Sequence, residues 1–433
     1  MSVATSILVQ ARTKGGPTAG PVGSGRVRTD ADLPPIASGL LPPVEASTLE
    51  PQVLDEASVS LNATLPRNVA VLTVTPNEDL DDRSFSLQGM CSIEGVNGFG
   101  PTQALPQPDV VLADLAQGVN PEESAQPSQI LGIMWAFSQE NGEVPRWVNE
   151  LRAATGDDLH LVIQDYTGFE IPWELLTLPA SESGDETYLG AAVSTTRWQY
   201  IIDTSFEKRP PQYSHEQLAG HIAAFVDVQE LKGGGKEIAV LTDLHVTVES
   251  GLKELTKLLM SAEAGFGLVY LAWHGHSAPT PAEYALGSPA TTGYRLVLSA
   301  LQGKKLNLFN RSKVIVFINA CHSGRMRRDN KYLRTKYLRG FPEVFLSKGA
   351  VGVIGTTGFV NDEFAAKMAG WFLSKLSTTE EPVSRLLRRW RAEVLRNLLA
   401  EPTEEHEVEL LNACMYVYYG NPQSQLRITE GPP

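Results

Sequence analysis

VYLAWHGH (269–276) and VIVFINACHSG (314–324) decide how this chain folds. Each opens on a near-continuous apolar run rich in β-branched and aromatic residues. Each then stops at a reactive side chain followed closely by glycine. An unbroken apolar run, rather than an alternating one, marks a strand covered on both faces, the habit of parallel sheets. Working outward, GAVGVIGTT (349–357), HIAAFVDVQ (221–229), EIAVLTDL (237–244) and CMYVYYGNP (414–422) read as further strands, with LKGGGK (231–236) as a glycine turn. Between them lie helical patterns. VTVESGLKELTKLLMSA (246–262) sets Leu252, Leu255, Leu258 and Leu259 on one face, and EFAAKMAGWFLSKL (363–376) and VSRLLRRWRAEVLRNLLA (383–400) are amphipathic. YRLVLSALQ (294–302) reads as a strand running into a short helix. The alternation predicts an α/β fold, a mostly parallel sheet flanked by helices on both faces.

Toward the amino end the pattern thins. LHLVIQDY (159–166) and NVAVLTVTP (68–76) read as strands and RWVNELRAA (146–154) as a helix, while ILGIMWAFSQ (130–139) fits either. Residues 1–65 are crowded with Gly and Pro and have no amphipathic period, so too little apolar surface is on offer to offset the entropy of ordering. We expect a flexible, disordered tail there, an α/β subdomain over 66–210 that completes or precedes the main sheet, and a core over 211–433.

The 433 residues are ordinary globular stock, 42% hydrophobic and 20% charged. No apolar run reaches the roughly 18 residues of a membrane helix, and the first residues lack the basic start of a secretory leader. With 36 basic and 50 acidic residues the net charge is −14, which disfavours direct nucleic-acid binding. Cys91, Cys321 and Cys414 are too few and scattered for a disulfide framework or a zinc cluster, and they suit a reducing cytoplasm. Nothing matches a calcium loop, so neither metal nor cofactor is expected.

Functional groups in parallel sheets collect beyond the carboxyl ends of the strands. His274 and Cys321 both stand there. A thiol becomes a nucleophile as thiolate, and an imidazole beside it can take the proton. Gly275 leaves backbone N–H groups unobstructed, so the amides of Gly275 and Cys321 can form an anion hole for a carbonyl under attack. His276 competes with His274 as the base. His322 is expected to point elsewhere, and Cys414 to sit in the core within the last strand.

HGH and NACHSG at successive strand ends resemble the caspase-like cysteine peptidases, and within them the CHAT domains. The resemblance takes in PWELL (172–176), YLG (188–190), VYLAWHGH, VIVFINACHSGR (314–325), residues 351–376 and YVYYGNP (416–422), and so spans about residues 150–425. It implies a caspase-like sheet and peptide-bond cleavage, with His274 as base, Cys321 as nucleophile and a backbone carbonyl orienting the imidazole. It also implies a protein substrate, regulation by an activating partner, ligand or upstream protease, and a bacterial defence or cell-death role. The alternative is a regulatory module of the same fold with a silent dyad.

In such enzymes the residue two before the nucleophile lines the pocket for the side chain preceding the cut. An acid there would select Arg or Lys; here it is the neutral Asn319. Asp362 could supply the carboxylate instead, or could cap the helix that begins beside it. RMRRDNKYLRTKYLR (325–339) gathers seven basic residues on an acidic chain. It reads as a solvated face, a processing loop or a dock for an acidic partner.

Overall fold

The computed structural model describes residues 65–77, 83–110, 126–180, 186–199, 201–202, 208–209, 211–249, 251–287, 295–328 and 338–429. The tail expected over 1–65 lies outside these apart from Leu65, as does most of the basic segment 325–339. Twelve strands form one sheet: β1 (Val69–Pro76), β2 (Ser84–Cys91), β3 (Leu105–Pro106), β4 (His160–Asp165), β5 (Ser194–Arg197), β6 (Glu216–Val226), β7 (Val248–Glu249), β8 (Phe266–Ala272), β9 (Ile315–Asn319), β10 (Gly352–Thr356), β11 (Tyr416–Gly420) and β12 (Ser424–Ile428). Their order across the sheet is β7-β6-β8-β9-β10-β11-β5-β4-β1-β2-β3, with β12 beside the first half of β6.

Two parallel blocks run in opposite senses. β6, β8, β9 and β10 are parallel neighbours. β11 is antiparallel to β10 and parallel to β5, which continues in parallel to β4 and β1. β2 and β3 add antiparallel strands at the far edge. The fold is therefore mixed α/β on a large, mostly parallel sheet.

Side-chain alternation sorts the core into layers. Tyr270 of β8, Phe317 of β9, Ile354 of β10 and Tyr416 of β11 point to one face. There they meet helices α1 (Pro127–Glu140), α2 (Glu143–Thr155), α3 (Gly234–Asp243), α6 (Asp362–Thr378), α7 (Val383–Ala400) and α8 (Glu404–Met415). Val269, Val316, Ile318 and Val353 point to the other face. That face is covered by α4 (Leu252–Met260) and α5 (Phe341–Ser347) through Leu252, Leu255, Phe341 and Phe345. Burial on both faces is why these strands read as unbroken apolar runs.

Two expectations need correction, and one left open between strand and helix is settled. EIAVLTDL is not a strand: residues 234–243 are the helix α3. An eight-residue apolar run carries either period, and the glycines before it start a helix rather than close a hairpin. Residues 130–139 resolve to helix, with Pro127 in its first turn. Cys414 is buried, but near the carboxyl end of α8, whose acidic start Glu404-Glu405 hid its apolar face.

Candidate active site

Register brings the two reactive strand ends together. Ala272 of β8 pairs with Asn319 of β9, so His274 and Cys321 each lie two residues beyond the same rung of adjacent parallel strands. Neighbouring strands are about 4.8 Å apart. His274 and Cys321 line one cleft with Leu231, Glu237, Asn319, Val360, Asp362 and others.

Gly275 fixes how closely the two loops approach. A Cβ built on it would stand 1.8 Å from the Cys321 carbonyl oxygen and 3.0 Å from the Cys321 nitrogen. Only glycine allows this approach. The small hairpin that Gly275 enters takes the His274 carbonyl, which accepts from the Gly287 N–H at 2.9 Å.

The Cys321 loop is pinned to the exit of β10. The His322 N–H donates to the Gly358 carbonyl (3.0 Å) and the Gly324 N–H to that of Thr356 (2.8 Å). Ser323 Oγ donates to the Ile318 carbonyl (2.9 Å) and accepts from the Thr356 N–H (3.1 Å). Thr356 Oγ1 donates to the Ala320 carbonyl at 2.7 Å. The Cys321 sulfur lies 3.5 Å from the Val360 nitrogen and 3.7 Å from its oxygen. Burial pushes the thiol's pKa up, against a smaller lowering by the Val360 contact.

The three histidines differ. Among the described residues the His274 ring has no hydrogen-bond partner. His276 is half-buried, its Nε2 unpartnered among described residues, and burial with Arg295 and His274 nearby lowers its pKa. His322 has φ 59°, which turns it away along the backbone. Its ring packs edge-on against Phe359 at 4.3 Å, and its Nδ1 is 3.4 Å from Arg325 Nη1. Burial, then Arg325 and Arg327, push it down to about 3.

Asn319 is buried beneath the thiol in a polar network. Its Nδ2 is within reach of Glu237 Oε1 (3.0 Å), Tyr270 OH (3.1 Å) and the Ala365 carbonyl (3.2 Å). Its Oδ1 accepts from Tyr416 OH at 2.6 Å. Asp362 is not the cap of α6; Asn361 is, accepting from the Glu363 and Phe364 N–H groups at 2.9 and 3.4 Å. Asp362 is left half-exposed at the cleft, its Oδ2 accepting from the Lys232 N–H at 3.2 Å. Glu237 was missed by sequence reading. The available signal was its position just past the glycine turn at the exit of β6, the same sheet end as His274 and Cys321. Among the described residues no group of three or more His, Cys, Asp or Glu is placed to hold a metal ion.

The CHAT domain profile matches residues 145–408. The chain belongs to the CHAT family. Among solved structures, the CHAT chain is similar to Saccharomyces cerevisiae separase in two separase–securin complexes. One is 15% identical over 68% of this chain and 18% of that one, with a TM-score of 0.40; the other is 11% identical over 83% and 30%, with a TM-score of 0.46. The CHAT chain thus spans less than a third of either separase chain. It is also similar to the Arg-specific cysteine proteinase gingipain R (14% identical, 72% of this chain and 70% of that one, TM-score 0.35). No curated protein sequence matches it.

Proposed function

We propose that the chain is a cysteine endopeptidase in which Cys321 is the nucleophile and His274 the base. The carrying observation is the contact of Gly275 on the Cys321 backbone, which seats thiol and imidazole at one cleft. Because burial keeps the resting thiol protonated, the proton leaves for His274 as the sulfur attacks. A carbon–sulfur bond forms, and the amides of Gly275 and Cys321 hold the oxyanion. The carbon–nitrogen bond then breaks as His274 returns the proton to the departing amine. Water, deprotonated by His274, splits the thioester and restores the thiol. Asp362 takes a basic side chain preceding the cut, in place of the acid absent at Asn319.

The Cys321 sulfur packed against Val360 favours a resting state that a protein partner, ligand or processing event activates. The family likeness carries the further reading of a defence or cell-death role, and three unpaired cysteines fit a cytoplasmic site. Incubation with a peptide library and mass spectrometry of the products tests the core claim. Wild-type protein should cut, Cys321→Ala should not, and His274→Ala should be slower by roughly 10²–10⁴-fold. Should Cys321→Ala cut as wild type does, the reading is wrong. Neither cutting nor labelling of Cys321 by a thiol-reactive peptide would leave the silent module.

A further inference from the structure

Glu170 lies in the loop that follows β4, in the opposite parallel block from the dyad, yet it reaches the nucleophile loop. Arg325, at the exit of the Cys321 loop, donates from Nε to Glu170 Oε1 at 2.5 Å and from Nη2 to Oε2. Arg327 donates from Nε to the same Oε2 at 2.8 Å. The Arg325 side chain is 3% exposed and that of Glu170 11%. One enclosed carboxylate thus answers two guanidinium groups, 155 and 157 residues further along the chain. An exposed pair of this kind contributes little, but an enclosed one is costly to break, because loss of one partner strands the charge of the other.

Both sides of this contact are bent into the left-handed region. Glu170 has φ 58° and His322 φ 59°; among the described residues other than glycine, only His245 joins them. A residue with a Cβ resists that conformation and keeps it only where its surroundings hold it. Arg325 closes the turn at His322, its N–H donating to the His322 carbonyl at 3.2 Å. From β11, Tyr419 OH donates to the Gly324 carbonyl at 2.7 Å. Close packing does not fix the loop alone: a cavity of about 30 Å³ lies at the seam, bordered by Glu170, Arg197, Gly324, Arg325, Thr357 and Tyr419 among others.

We infer that Glu170 is a positioning residue for the nucleophile: through Arg325 and Arg327 the amino-terminal block holds the Cys321 loop in the bent form that seats the sulfur in the cleft. This deepens the peptidase reading, by naming what sets the state of its thiol, and rests on it. The hold runs along the backbone from Arg325 back to Cys321. It does not run through the His322 ring, which only borders Arg325 Nη1 at 3.4 Å. Releasing Glu170 lets the turn at His322 relax toward negative φ and carries the sulfur off Val360, away from its seat beside Gly275.

Glu170→Gln is the direct test. Its amide keeps one acceptor oxygen and turns N–H donors toward the arginine N–H groups. For a peptide that the wild type cuts, kcat should fall about 10²-fold with KM within about twofold. The three free cysteines report the cause. Under iodoacetamide, with each cysteine followed by mass spectrometry, Cys321 should label roughly tenfold faster than in the wild type, because its sulfur has left Val360. Half-buried Cys91 should keep its rate and buried Cys414 should stay unlabelled, which separates local release from loosening of the whole fold. Arg325→Lys keeps the charge pair but loses the fork. It should move cutting and labelling in the same directions by less, and it decides the matter where Glu170→Gln fails to fold. Unchanged cutting, unchanged Cys321 labelling, or Cys414 labelling that rises alongside it overturns the inference. Should the wild type cut no peptide, the peptidase reading falls, and the labelling alone upholds or overturns the hold of Glu170 on Cys321.

Discussion

The sheet has two parallel blocks, and their strand ends are finished in opposite ways. Beyond β4 and β5 the charges of Asp165, Arg197 and Glu174 are answered. Asp165 accepts from the Thr167 N–H and hydroxyl (2.9 and 2.6 Å) and from Trp173 Nε1 (3.0 Å). Arg197 forks onto Glu174 at 3.3 and 2.6 Å and onto the Ile171 carbonyl at 3.0 Å. Beyond β8 and β9 the backbone is as firmly tied, through Ser323 and Thr356. The side chains that matter there, a sulfur and an imidazole, retain unused bonding capacity. A strand end becomes structural when its polar groups are saturated, and becomes chemical when the scaffold is saturated and the reactive groups are not.

That contrast is open to attack at several points. The largest effect should come from the saturated end. Arg197→Met strands the Glu174 carboxylate in the interior and should cost about 3–5 kcal/mol of stability by denaturant titration. Arg197→Met with Glu174→Leu should recover most of the loss. If the single variant unfolds like wild type, the ion pair is ornamental and the contrast is lost. Gly275→Ala comes next: its methyl group meets the Cys321 carbonyl, so peptide cutting should fall roughly 10²–10³-fold, read against the melting temperature to separate chemistry from folding.

The third test is one of pH. Burial holds His160, at the start of β4, down to about 4 from 6.5. Unfolded chains take up a proton below pH 6.5 that the folded one refuses until about 4. His160 therefore has no effect above pH 6.5, and its destabilisation grows as pH falls toward 4, by up to about 3 kcal/mol. His160→Gln should flatten that part of the stability profile; an unchanged slope would place the titrating group elsewhere. The smallest effect should be that of His322→Ala, within about twofold in cutting rate because the ring faces Phe359 and Arg325. A loss of roughly 10²-fold or more would make His322 the base and overturn the assignment to His274.

The same physics governs how much could be read from the sequence. Strands buried on both faces announce themselves, and β8, β9, β10 and β11 were readable because nothing polar interrupts them. So were His274 and Cys321, since the strand-exit rule needs only the strand and the two or three residues past its end. Glu237 was hidden by a wrong period: EIAVLTDL read as a strand put its glutamate at a strand start, whereas as α3 it leans over the sheet to Tyr270 and Asn319. Asn361 and Asp362 are adjacent acceptors, and no sequence rule tells which of two neighbours caps a helix. The placement of β11 between the blocks depends on an antiparallel pairing with β10, Gly352 to Gly420 and Thr356 to Tyr416, and on a parallel one with β5, Tyr419 to Arg197, both beyond the reach of local patterning.

The position of β11 sets an order of assembly. Tyr416 braces Asn319 from a strand translated about a hundred residues after the thiol. A nascent chain carrying Cys321 and His274 but not yet residue 416 has neither the centre of its sheet nor the support beneath its pocket. The ribosome thus delivers the reactive pair first and the part that steadies its recognition surface last, so a half-made copy is a poor reader of its neighbours in the cell.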